Sequence, residues 1–243
     1  MLRAFSVTDI GKNRKINQDF VFVSNSPVGN LPNLFIVADG MGGHKAGDYA
    51  SKCAVETICD MAGRSFEKNP LVILRKAIEA ANEAIRTKAA EDDNYAGMGT
   101  TLVAATCLGR YLQVANVGDS RLYIVGEEIK QITVDHSLVE EMVRMGGIDK
   151  EAAKHHPDKN IITRALGAVE TVDVDFFTIE LQPEERVLMC SDGLTNMLED
   201  DEILEVVTSD ADLEEKARML VQAANDRGGR DNITVVLIEQ LTQ

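Results

Sequence analysis

The chain has 243 residues, 44% hydrophobic and 27% charged, with 40 acidic against 25 basic residues and a net charge of −15. That length supports a large core in one domain or two small ones, and the acidity excludes nucleic acid or an anionic membrane as the main partner. No apolar run approaches a membrane span, and Met1 to Ser6 lacks the apolar core of a secretion signal. Cys53, Cys59, Cys107 and Cys190 have no zinc-type spacing and lie in apolar segments, so they read as buried free thiols of a reducing cytoplasm.

Strand signals come first. Phe20 to Val23 and Leu34 to Ala38 are apolar runs of strand length, separated by the turn-rich Ser24 to Asn33. Helical spacing follows in Ala50, Cys53, Ala54, Ile58 and Met61. A second helix has Asn69 as cap, Pro70 in its first turn, and a stripe of Leu71, Leu74, Ile78, Ala81 and Ile85. Thr101 to Leu108, Tyr111 to Val117, Arg121 to Val125 and Ile129 to Val134 form an antiparallel meander, the last two joined at Glu127-Glu128.

Ser137 to Glu140 has the capping-box pattern, with Leu138, Met142 and Met145 on one helical face and Gly146-Gly147 as the stop. The polar stretch from Ile148 to Thr163 reads as a small inserted subdomain or lid. Val172 to Leu181 and Arg186 to Cys190 are further strands. Leu213, Ala217, Leu220, Val221 and Ala224 mark a late helix, and Ile233 to Ile238 a closing strand. Paired helices among hairpin-type strands, with no repeat or long linker, predict α+β layers: helices flanking two stacked sheets.

Five aspartates stand at strand edges. Asp39, Asp119 and Asp192 follow apolar runs, whereas Asp19 and Asp231 precede them. Singly, pairs such as Asp39-Gly40 and Asp192-Gly193 are ordinary turn signals. In antiparallel neighbours, however, the end of one strand and the start of the next share an edge, so the five can converge on one rim. Converged carboxylates repel, and divalent cations are the natural compensation. An all-oxygen donor set favours magnesium or manganese over zinc. Two such ions about 3.5–4 Å apart clamp an in-line phosphoryl transfer. Arg14, five residues before Asp19, supplies a guanidinium fork for phosphoryl oxygens. Gly40-Met41-Gly42-Gly43 is not a dinucleotide loop, because Lys45 replaces the third glycine.

The ordered set Arg14-Lys15-Ile16-Asn17-Gln18-Asp19, Asp39-Gly40-Met41-Gly42-Gly43-His44, Gly99-Thr100-Thr101, Gly118-Asp119-Ser120-Arg121, Asp135-His136, Ser191-Asp192-Gly193 and Gly229-Arg230-Asp231-Asn232 resembles the PPM (type 2C) metal-dependent protein phosphatases, specifically the compact bacterial members. The resemblance spans Asp9 to Ile238. It implies one catalytic domain over residues 1–243, a β-sandwich of two antiparallel sheets flanked by pairs of α-helices, with a flap subdomain at about 145–163. It also implies hydrolysis of phosphoserine and phosphothreonine by direct attack of a water activated at a dinuclear Mg2+ or Mn2+ centre.

By position, Asp39 would bridge both ions, and Asp192 and Asp231 would complete the first site. Asp19 and the Gly40 carbonyl would serve the second, and Asp119 with Asp192 a third. Arg14 matches the phosphate-binding arginine. Many eukaryotic members have a histidine where this chain has Met41, so His44, three residues on, is the substrate-binding candidate. The resemblance further implies phosphorylated protein substrates, targets of a serine/threonine kinase, and a cytoplasmic monomer. The alternative is a catalytically silent binding module on the same fold.

Overall fold

The computed structural model describes residues 2–43 and 46–240. In chain order, β1 (Leu2–Asp9), β2 (Asp19–Ser24) and β3 (Leu34–Met41) precede α1 (Ala46–Gly63) and α2 (Pro70–Glu91). Then come β4 (Gly99–Thr100), β5 (Leu102–Leu108), β6 (Tyr111–Val117), β7 (Arg121–Val125) and β8 (Ile129–Gln131). Two short helices, α3 (Leu138–Arg144) and α4 (Lys150–Lys154), lead to β9 (Asp175–Glu180) and β10 (Arg186–Cys190). The chain closes with α5 (Asp192–Thr195), α6 (Asp200–Thr208), α7 (Leu213–Asp226) and β11 (Ile233–Gln240).

The strands form two wholly antiparallel sheets, ordered β1-β11-β10-β7-β8 and β2-β3-β5-β6-β9, with β4 on the end of β3. Alternation along β3 explains the layering. Phe35 and Val37 point between the sheets, against Val103, Val114, Leu122, Met189 and Val236. Leu34, Ile36 and Ala38 point outward under α1 and α2. On the other sheet, Leu188, Cys190, Val235 and Leu237 lie under α6 and α7. Central strands buried on both faces read as unbroken apolar runs, which is why they stand out in the sequence. The result is the expected α+β sandwich with a helix pair on each outer face.

Local departures have local causes. β1 and α6 were not among the expected elements; β1 pairs with β11 over its whole length. The strand expected to reach Val134 ends at Gln131, because the Thr133 hydroxyl accepts from the Leu122 N–H where a ladder carbonyl would. The run expected from Val172 joins the sheet only at Asp175; Val172 and Val174 instead pack into the core beside α2. Ser137 Oγ accepts from Glu140 N–H at 3.3 Å, but no Glu140 side-chain bond returns to the Ser137 N–H among the described residues, so only half of the capping box forms. Val139 is the buried residue of α3, and Met145 is 78% exposed. All four cysteines are free thiols, Cys107 and Cys190 buried, Cys53 and Cys59 only half-buried.

Candidate metal centre

Strand ends from both sheets meet at one end of the sandwich. β2 and β3 are paired so that Asp19 lies opposite Asp39. Asp119 follows β6, Asp192 follows β10, and Asp231 sits two residues before β11. Arg14, Asp39, Gly40, Asp119, Asp192 and Asp231 together line a cavity of about 270 Å³. Asp19 lies beneath it, 6% exposed. His44 lies outside the described residues.

Each side chain is held by identifiable contacts. Asp19 Oδ2 accepts from the Ser191 and Thr234 hydroxyls at 2.7 and 2.6 Å, which ties the two sheets together. The Asp39 backbone N–H donates to Thr101 Oγ1 at 3.0 Å, and its carbonyl accepts from Thr101 N–H at 2.8 Å. Gly40 needs a hydrogen as its side chain, since a Cβ there would lie 1.9 Å from the Gly47 carbonyl oxygen. Asn232, 3% exposed, accepts from Gln18 N–H and donates to the carbonyls of Ile10 and Ile16. It therefore fastens the loop bearing Arg14 to the turn bearing Asp231. Arg14 Nη2 donates to Asp231 Oδ2 at 2.7 Å.

Sequence alone marks out no fastening role for these residues. A faint signal existed for Thr234, a hydroxyl inside an apolar strand. Asn232 and Ser191 look like turn residues until the sheets are assembled.

Burial and mutual repulsion push the carboxyls upward. Burial raises Asp19 to about 7, partly offset by the Thr234 and Ser191 hydroxyls. Burial, then repulsion from Asp19, Asp192, Asp119 and Asp231, holds Asp39 well above the usual carboxylate range. Asp119 is raised to about 8 by burial and then by Asp192 and Asp135. Asp192 reaches about 6 through burial and Asp231. Such a cluster of raised acids needs positive charge to stay ionised at neutral pH.

Among the described residues, no three His, Cys, Asp or Glu side chains already enclose a common point. Their oxygens are partly turned to protein donors, and Asn196 Nδ2 donates to Asp192 Oδ2 at 2.8 Å. Asp19 Oδ1 and Asp192 Oδ1, however, are buried without any partner among the described residues. Orphaned carboxylate oxygens in an all-oxygen cavity fit a hard divalent cation.

The model of the family described as protein phosphatase 2C matches residues 11–237. The chain belongs to that family. This phosphatase is 43% identical to the serine/threonine phosphatase stp of Listeria monocytogenes, over 97% of its own length and 95% of the relative's. Its structure resembles a serine/threonine phosphatase of S. agalactiae with a TM-score of 0.93 at 38% identity, covering 99% of this chain and all of that one. It also resembles the catalytic domain of the serine/threonine protein phosphatase PstP in complex with two manganese ions, with a TM-score of 0.86 at 33% identity, covering 98% and 97% of the two chains. The phosphatase is thus an enzyme, and no helix of its described residues is long and apolar enough to cross a membrane.

Proposed function

We propose that the enzyme hydrolyses phosphoserine and phosphothreonine in proteins using two divalent cations, manganese or magnesium, held at the acidic cavity. The observation that carries this reading is the meeting of Asp19, Asp39, Asp119, Asp192 and Asp231 at one end of the sandwich, with two buried oxygens left unpartnered among the described residues. Asp39 would serve both ions. Asp192 and Asp231 would complete one site, Asp19 and the Gly40 carbonyl the other, and Asp119 with Asp192 a third. The two manganese ions of the PstP complex support the count of two.

The cations supply Lewis acidity, lowering the pKa of water and offsetting charge on the phosphoryl oxygens. Arg14, 47% exposed at the cavity wall, presents its fork to the phosphoryl oxygens and orients the ester for in-line displacement. Water adds to phosphorus, the P–O ester bond breaks, and the serine or threonine oxygen leaves with a proton. No thiol takes part: no cysteine lines the cavity, and burial pushes Cys190 up to about 12 and Cys59 to about 11. The segment at 145–163, beside the cavity through Asn160, acts as a flap over the bound peptide. Likeness to the serine/threonine phosphatases of bacteria supports phosphorylated proteins, the targets of a serine/threonine kinase, as substrates, and the four free thiols accord with a monomer working in a reducing cytoplasm.

The test is hydrolysis of a phosphothreonine peptide with manganese and with a chelator. Activity is expected only with the cation and only with Asp39 intact. Full activity in the presence of chelator, or in Asp39→Ala, contradicts the proposal.

A further inference from the structure

We propose that the dipeptide Asp135-His136 is a positioning element for Asp119, fixing the turn Gly118-Asp119-Ser120-Arg121 so that only the Asp119 carboxylate is left to face the cavity. The inference rests on Asp119 being a ligand of the proposed centre.

The turn is held on both sides of Asp119. Before it, Gly118 N–H donates to His136 Nδ1 at 3.0 Å, and His136 N–H donates to the Gly118 carbonyl at 3.0 Å. Gly118 has φ of 103° and sits so close to Thr101 that a Cβ would lie 2.7 Å from that side chain. After it, the Ser120 hydroxyl is hydrogen-bonded to Thr101 Oγ1 at 2.7 Å. Arg121 makes a two-pronged pair with Asp135, Nε at 3.0 Å from both oxygens and Nη2 at 2.7 Å from Oδ2. Its Nη1 donates to Tyr123 Oη at 2.9 Å. A half-buried guanidinium with this many partners is fixed in place.

The histidine tautomer follows from these contacts. Nδ1 accepts from Gly118, so the ring proton sits on Nε2 and is donated to Asp175 Oδ2 at 3.1 Å. Arg164 Nη1, 3.3 Å from Nε2, can only donate, and with the ring proton on Nε2 it donates instead to the other Asp175 oxygen at 3.1 Å. His136 is 5% exposed, so this orientation has no solvent alternative. The His136 backbone also anchors the segment beside the cavity, since Thr163 N–H donates to its carbonyl at 2.7 Å; two residues on, Leu138 N–H donates to the Ile161 carbonyl at 2.8 Å. Asp119 and the root of that segment therefore share one support. Partners of this kind orient a ligand without touching the ion.

Two near-isosteric replacements separate the roles of the ring nitrogens. In His136→Asn, Oδ1 falls where Nδ1 was and can accept from Gly118 N–H. In His136→Gln, the side-chain amide reaches toward the Nε2 position and leaves Gly118 N–H without its acceptor. Manganese binding by calorimetry, with kcat and KM for a phosphothreonine peptide, is measured for both, for Asp119→Ala and for the double variant His136→Gln/Asp119→Ala. Circular dichroism checks folding. His136→Asn should stay within about threefold of the parent in manganese affinity, and His136→Gln should lose about 10–100-fold. The double variant should equal Asp119→Ala alone, since both act through one group.

Should His136→Gln fail to fold, Asp135→Asn replaces it, expected to lose about tenfold by weakening the Arg121 pair. Unchanged manganese affinity in His136→Gln or, where that variant fails, in Asp135→Asn, equal losses in the Asn and Gln variants, or additive losses in the double variant would overturn the positioning role. A fully manganese-competent and active Asp119→Ala removes the ligand reading of Asp119 itself, and the positioning role with it.

Discussion

Asn232→Ala probes how the two halves of the centre are joined. The Asn232 side chain accepts from Gln18 N–H at 2.8 Å and donates to the Ile10 and Ile16 carbonyls at 2.9 and 3.1 Å. Removing it deprives three backbone groups of a partner at a position 3% exposed. At about 1 kcal/mol net per hydrogen bond, the loss is about 3 kcal/mol, which is about a hundredfold in the folding equilibrium. The effect should not stop at stability. Gln18 precedes Asp19, and Ile16 lies two residues beyond Arg14, so the freed loop carries both a proposed ligand and the proposed phosphate-binding arginine. Urea unfolding should show a lowered midpoint with an unchanged slope. Calorimetry on the folded fraction should show manganese affinity reduced about tenfold or more. A variant within about 0.5 kcal/mol of the parent in stability, with unaltered manganese binding, would refute the view that this side chain fastens the site.

Stability of the chelated protein should depend on pH with a definite sign. Asp19, Asp119 and Asp192 are raised from 3.8 to about 7, 8 and 6. The folded state therefore binds more protons than the unfolded one between about pH 4 and pH 8, and unfolding free energy falls as pH rises through that window. Thermal melts with a chelator should show this fall, and saturating manganese should remove it. Arg14→Ala should raise KM for a phosphopeptide, while manganese affinity holds or increases, because Arg14 donates to the Asp231 carboxylate that a cation would also use. Calorimetry showing lost manganese binding would mean Arg14 serves the metal site. Gly40→Ala should fail to accumulate as folded protein, given the 1.9 Å approach to the Gly47 carbonyl, and native-like circular dichroism would contradict that.

The central strands were legible because burial on both faces makes Leu34 to Ala38 or Leu102 to Ala105 continuous apolar runs. β1 was not, since Leu2-Arg3-Ala4-Phe5 belongs to a half-buried edge strand and mixes polar with apolar residues. α6 buries only Ile203 and Val207, too few positions to set a helical period, and its first turn is acidic. The five aspartates were legible as strand-edge residues, yet their meeting depends on packing two sheets whose strands are far apart in sequence. Asp19 illustrates the limit: its hydroxyl partners Ser191 and Thr234 lie 172 and 215 residues away. Asp135-His136 was recognisable as a motif, but its clamp on Gly118 and Arg121 emerges only when β6, β7 and the segment after β8 are brought together.

The most direct measurement is an anomalous-difference map from a manganese-soaked crystal. Two peaks beside Asp39, one shared with Asp192 and Asp231 and the other with Asp19 and the Gly40 carbonyl, are the predicted result. Ordered manganese elsewhere on the surface, with nothing bound among those carboxylates, would contradict the account.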